Sequence, residues 1–223
     1  MSLALHSRHR PLIYLITSGK TTALTTPASE DFASVIQQLR AAVAARIDLV
    51  QIREKNLCAA VLYQLATTAA SICKGSATKL LINDRADIAA AAGADGVHLT
   101  TTSLPTNVVR KSFGNDFVIG VSTHSLDEAN LARSGGADFV VFGPVFETAS
   151  KQEYGEPVGL TKLATVCKEL SPFSVLALGG VTRANFADCV RAGARGVAAI
   201  SMLQQADRLA EIADQFRHSF GVR

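Results

Sequence analysis

The run QIREK (51–55) puts an amide, a guanidinium and an ammonium on alternate residues, Gln51, Arg53 and Lys55. In an extended chain alternate side chains share a face, so these three converge on one side. Such a trio suits an anionic or polar-ring ligand. Glu54 falls on the other face and reads as an Arg–Glu pair tying a rim together. Farther on, LLIND ends in Asn83 and Asp84. Asp84 has two readings of equal weight. It caps the helix that opens at DRAD, or it ligates Mg²⁺, which takes one or two carboxylates and substrate phosphates.

Other polar groups follow short apolar runs. VSTH brings Ser122 and His124; His124 is either an acid–base group or a residue leading into a helix. ETASK (147–151) carries Thr148, Ser150 and Lys151, a loop suited to closing on an anion, or else simply solvated. In ALGG (177–180) and AAIS (198–201), Gly179 and Gly180 allow close backbone approach to a phosphate and Ser201 adds a hydroxyl. A turn that simply requires glycine is the plainer reading. HLTTTSLP (98–105) offers only small, uncharged hydroxyls.

These groups need a scaffold that gathers strand ends. Eight short apolar runs, at 12–17, 48–54, 79–84, 96–99, 117–123, 139–145, 174–180 and 196–201, alternate with amphipathic helical segments. The junctions AAGADGVHL, SGGADFVVF and RAGARGVAA repeat one pattern, with Gly93, Gly136 and Gly193 where each helix stops. Right-handed crossovers between eight strands predict a TIM (β/α)8 barrel, with a doubly wound sheet as the alternative. The connections after the first and sixth strands are long, which marks them as binding loops or lids.

The chain has 223 residues, 48% hydrophobic and 18% charged, which suits one barrel domain over 1–223 with an exposed tail at 1–10. A net charge of +3 with scattered basic residues argues against nucleic acid. No apolar run reaches membrane-spanning length and no secretory signal is visible, so a cytoplasmic location is expected. Cys58, Cys73, Cys167 and Cys189 form no Cys-x-x-Cys pair, fall in helix-like segments, and read as buried thiols of a reduced protein. Oligomeric state is left open, a homo-oligomer included.

Taken together, QIREK, LLINDRADIAAAAGADGVHL, GVSTHSLDEA, ADFVVFGPVFETASK and ALGGVTRANFADCVRAGARGVAAIS resemble the thiamin phosphate synthase/TenI family of TIM barrels. The resemblance implies joining of hydroxymethylpyrimidine diphosphate to thiazole phosphate, with diphosphate released. It assigns Gln51 and Asn83 to the aminopyrimidine, and Arg53, Lys55 and Lys151 to diphosphate. Ser122, Thr148 and Ser150 would lie near the reacting groups, Asp84 would ligate Mg²⁺, and Gly180, Ile200 and Ser201 would hold the thiazole phosphate.

Two departures qualify this. Where the synthases carry H-x-G-Q-E-D, this chain has Thr100, Thr101, Thr102 and Ser103, so a second metal-binding carboxylate is missing unless Glu147 or Glu153 replaces it. Glu147 also brings the lid nearer to the TenI branch, whose members tautomerise a thiazole carboxylate phosphate without metal through a histidine that His124 matches. The alternatives to the synthase are thus a tautomerase using His124, or a non-catalytic barrel that binds thiazole phosphate.

Overall fold

The computed structural model describes residues 10–148 and 156–219. Among the described residues, strands β1 (Leu12–Ile16), β2 (Leu49–Ile52), β3 (Lys79–Asn83), β4 (Gly96–Leu99), β5 (Val118–Thr123), β6 (Phe139–Phe142), β7 (Ser174–Ala177) and β8 (Gly196–Ala199) alternate with eight α-helices. The helices are α1 (Glu30–Ala44), α2 (Ala59–Cys73), α3 (Ala86–Ala92), α4 (Thr106–Phe113), α5 (Leu126–Ser134), α6 (Gly159–Leu170), α7 (Phe186–Arg191) and α8 (Leu209–His218). All neighbouring strands pair in parallel and β8 returns to β1, closing the barrel. Closure excludes the doubly wound sheet, in which two strand edges would stay open.

Residue alternation along the strands builds two cores. Leu12, Tyr14, Ile16, Leu49, Leu81, Val118, Phe139, Val141, Leu176 and Ala198 fill the barrel interior. Their neighbours, among them Ile13, Leu15, Val50, Ile52, Val97 and Ile119, pack outward against the helices. Burying each large apolar side chain contributes roughly 1.5–3 kcal/mol, so a one-residue slip in any strand would exchange the two cores at great cost.

The repeated helix-to-strand junctions have a physical reason beyond their glycines. Asp48, Asp95 and Asp138 each stand just before an even-numbered strand and accept the backbone N–H of the preceding strand. The acceptor distances are 2.9 Å from Ile13, 2.9 Å from Leu80 and 2.7 Å from Ile119. Each carboxylate also takes a cation: Arg10, Lys79 and Arg110 respectively. Burial pushes the Asp48 carboxyl upward, against the Ile13 N–H and the nearby arginines. At the fourth such junction Arg195 instead donates to the Arg10 carbonyl.

Several strands end earlier than the apolar runs suggest. β2 stops at Ile52, β6 at Phe142 and β7 at Ala177. Past those points come Arg53, Gly143 with Pro144, and Gly179 with Gly180, which leave the ladder to form the C-terminal face. Among the four cysteines, Cys73, Cys167 and Cys189 are buried, as expected. Cys58 is a correction: it is exposed and lies ahead of α2 instead of within it.

Candidate active site

The inward-facing rows end in polar residues at the C-terminal rim, where a cavity of about 600 Å³ opens. It is lined by Gln51, Arg53, Lys55, Asn83, Ser122 and His124 of the expected set, with Thr100, Thr101 and Thr102. Gln51 is buried, Arg53 half-buried and Lys55 exposed, so the amide sits deepest and the cations ring the mouth. Ser18, Lys20, His98 and Gln204 also line this cavity, and the residue types alone had not singled them out.

Beneath the cavity floor runs a buried hydrogen-bond chain. Gln51 Nε2 donates to the Tyr14 hydroxyl at 2.8 Å, that hydroxyl lies 3.1 Å from His98 Nδ1, and His98 Nε2 lies 2.9 Å from Ser122 Oγ. Burial holds the Tyr14 phenol far above its usual range, so it stays protonated. The rings of Tyr14, His98 and Phe139 pack together with centroids 5.6–6.1 Å apart. Period-2 alternation through LIYLI and GVHL was the available signal for Tyr14 and His98: each is a polar-capable group on the inward row.

Glu54 is a second correction. It is buried and makes no ion pair with Arg53 among the described residues. Its carboxylate instead accepts from the Gly19 and Thr21 N–H groups, both at 3.1 Å, and from the Thr21 hydroxyl at 2.7 Å. It therefore ties the loop after β1 to the end of β2, which places Ser18 and Lys20 over the cavity.

Asp84 does not cap α3. The capping position is Arg85, with no side-chain bond to the helix end, and Arg85 pairs with Asp87. Asp84 stands exposed in the left-handed region at φ 62°, its N–H donating to the His98 carbonyl at 2.9 Å. Asparagine and aspartate tolerate that conformation better than most residues. Ser103 folds its hydroxyl inward: Oγ accepts the Thr100 N–H at 2.8 Å and lies 3.1 Å from Thr100 Oγ1. Among the described residues no group of three or more His, Cys, Asp or Glu side chains could hold a metal. Asp84 is not among the residues that line either cavity, and a single carboxylate is less than an ion held by protein alone requires.

A second cavity of about 570 Å³ lies over β7 and β8, lined by Thr148, Gly179, Gly180, Thr182, Arg183 and Ser201 among others. Both glycines have positive φ, and a Cβ at Gly180 would lie 2.4 Å from the Glu147 carbonyl oxygen. The plainer reading of these glycines therefore accounts for their presence. The Gly180 carbonyl accepts from Asn185 Nδ2 at 3.0 Å. Arg183, a further lining residue that the sequence did not mark, pairs with Glu211 at 2.7 Å.

The two cavities share a wall of Leu178, Ile200 and Ser201. Each is of a size that suits a small-molecule ligand. His124 precedes α5, where Ser125 accepts the Glu128 N–H and Glu128 accepts the His124 N–H at 2.7 Å; His124 Nδ1 lies 3.2 Å from the same carboxylate. His124 is thus both part of a helix start and a cavity-lining group. Ser150, Lys151 and Glu153 lie outside the described residues, and Glu147 is exposed.

Comparison with known proteins agrees with this architecture. The family model described as thiamine monophosphate synthase matches residues 14–203. A protein of Geobacter sulfurreducens, provisionally named thiamine-phosphate synthase, is 44% identical over 191 residues, covering 86% of this chain and 85% of that one. The thiamine-phosphate synthase of Chloroflexus aurantiacus is 36% identical over 179 residues, covering 80% and 82%. Among solved structures, the thiamine phosphate pyrophosphorylase of Pyrococcus furiosus superimposes with a TM-score of 0.77 at 26% identity, covering 96% of this chain and 98% of the other. A 3-hexulose-6-phosphate synthase, 16% identical with a TM-score of 0.63, shares the fold. By sequence match and by architecture, this chain belongs to the thiamine monophosphate synthase family.

Proposed function

We infer that this chain is a transferase that joins hydroxymethylpyrimidine diphosphate to thiazole phosphate, making thiamin phosphate and releasing diphosphate. The observation that carries this reading is the pair of adjoining cavities with a common wall at Leu178, Ile200 and Ser201. Two substrates seated in cavities that adjoin at these residues would bring their reacting ends together there, and alignment of this kind supplies much of the rate of a bimolecular step.

In this reading the exocyclic C–O bond of the pyrimidine diphosphate breaks and its electron pair leaves with diphosphate. The resulting pyrimidine-methyl cation is captured by the thiazole nitrogen, whose lone pair forms the new C–N bond. Gln51 and Asn83 hold the aminopyrimidine at the deep end. Arg53 and Lys55, joined by Lys20 and by Lys151, neutralise the leaving charge. Ser122 supplies a hydroxyl near the breaking bond, and the resemblance assigns Thr148 and Ser150 to the reacting groups as well. Gly180, Ile200 and Ser201 hold the thiazole phosphate through backbone and hydroxyl donors. Asp84, together with diphosphate oxygens, would hold Mg²⁺, whose positive charge would offset the negative charge that develops on the leaving group. Three buried cysteines without disulfides suit a reduced, cytoplasmic setting.

Incubating the purified protein with both substrates, with and without Mg²⁺, tests the reading. Diphosphate and thiamin phosphate should form in equal amounts, and only with metal. A second reading has one observation in its favour, since His124 lines the same cavity. Conversion of a thiazole carboxylate phosphate in chelator, lost in His124→Gln, would establish the tautomerase instead. Thiazole phosphate binding by calorimetry with neither turnover would point to a non-catalytic binding barrel.

A further inference from the structure

We propose that the buried chain through Gln51, Tyr14, His98 and Ser122 has one fixed hydrogen-bond polarity, which makes Tyr14 and His98 positioning residues for the two groups at its ends. Its consequence for catalysis, and the choice of this polarity over its reverse, rest on the synthase reading.

The argument starts from hydrogen counts. Tyr14 is fully buried and protonated, so its oxygen has a single hydrogen to donate. That oxygen accepts from Gln51 Nε2 at 2.8 Å. Its own hydrogen is then directed at His98 Nδ1, 3.1 Å away. Nδ1 must therefore be bare, and a neutral imidazole with a bare Nδ1 carries its proton on Nε2. Nε2 donates to Ser122 Oγ at 2.9 Å. Ser122, its oxygen occupied as an acceptor, is left to donate into the cavity that it lines. At the other end Gln51, one amide hydrogen engaged, keeps its carbonyl and second N–H for the same cavity.

Two alternatives are disfavoured physically. Reversing the Gln51 amide would reverse every bond in the chain, and Ser122 would then turn a lone pair toward the cavity, so that the anionic leaving group of the synthase reading would lose its donor at that hydroxyl. Protonating His98 would make both ring nitrogens donors and leave the Tyr14 hydrogen facing a second donor in a buried site. The ring cannot turn away to escape. It packs against both Tyr14 and Phe139 at centroid distances of 5.6 and 6.1 Å, and Gly120 lies so close that a Cβ there would fall 2.7 Å from Nδ1.

Long-range ¹⁵N–¹H correlation spectra of the ¹⁵N-histidine-labelled full chain test the polarity directly. His98 should carry its proton on Nε2 alone; a proton on Nδ1, or on both nitrogens, would overturn the proposal. The consequence is tested by Tyr14→Phe, which deletes only the hydroxyl. Its kcat should fall about tenfold or more and its KM for the pyrimidine diphosphate should rise, with KM for the thiazole phosphate within about twofold of the parent. Equal changes in both KM values, or no loss in kcat, would refute the positioning role. As a check independent of how Tyr14→Phe folds, His98→Gln, which can donate and accept, should retain about tenfold more activity than His98→Leu; equal activities would count against the role. A parent protein with no synthase turnover would sink the proposed reaction, while the spectra still decide the polarity.

Discussion

Ser103 and Asp84 carry opposite lessons about a metal site at the scale of single residues. The family's synthases place a carboxylate where Ser103 stands, and here the hydroxyl folds back onto the Thr100 N–H. An aspartate at 103 could accept that same N–H, so Ser103→Asp should preserve the turn while adding a charge. Its half-saturating Mg²⁺ concentration for diphosphate release should fall by about tenfold; an unchanged metal titration would mean that position 103 does not face the ion. Asp84→Asn keeps a residue that tolerates the left-handed backbone but removes the charge. It should lower Mg²⁺-dependent kcat by about a hundredfold with little change in thermal stability.

The thiols give a prediction with a defined sign. Burial pushes Cys73 and Cys189 up to about 11 and Cys167 up to about 12. In the unfolded chain thiols ionise near about 8.5, so the native state holds these protons longer. Their contribution to stability is full below that value and is lost as pH rises toward the folded values. Denaturant midpoints should therefore decline above about pH 9, and at pH 8 a thiol reagent should modify Cys58 quickly and the other three only on unfolding.

Among the elements, β4 and β5 show how a strand can serve its neighbour's chemistry. His98 pairs with Gly120 in register, and the absent side chain at 120 gives the imidazole and the Phe139 ring their space. A methyl group there would sit 2.4 Å from Phe139 Cζ. Gly120→Ala should destabilise the fold by about 1–3 kcal/mol in chemical denaturation and depress activity beyond what the stability loss explains. Wild-type stability in that variant would show that the rings move aside freely. The helices were largely legible as amphipathic runs, and α6 occupies the residues that its pattern marks out. Strand ends were less so, because apolar character continues past the last ladder bond at β6 and β7. The regular strands end there at glycine and proline, although the Val145 and Phe146 N–H groups still donate to the Leu178 and Gly179 carbonyls at 2.8 and 3.0 Å.

In the whole molecule the two barrel faces divide their tasks. The two cavities lie at the C-terminal ends of the strands, and the Asp48, Asp95 and Asp138 clasps lie at the N-terminal ends. Arg110 serves the latter face, donating to the Gly136, Gly114 and Phe117 carbonyls and pairing with Asp138 at 2.7 Å. Arg110→Ala should cost about 2–4 kcal/mol of stability and leave both KM values unchanged at a temperature where the protein stays folded. A shifted KM would reveal coupling between the faces. Among the described residues no helix is long and apolar enough to cross a membrane.

By itself the sequence determined the alternation of strand and helix, the two-faced strands, the family motifs and most of the polar rim, because all of these follow from local periodicity and residue type. Barrel closure, the separation of the site into two cavities with a shared wall, and the partners of Glu54, Ser103 and His98 were decided only by tertiary structure. Closure, the shared wall and the partners of Glu54 and His98 depend on residues distant in the chain, the hydrogen bond between Tyr14 and His98 spanning 84 positions; Ser103 closes a local turn onto Thr100 that its residue type alone does not specify.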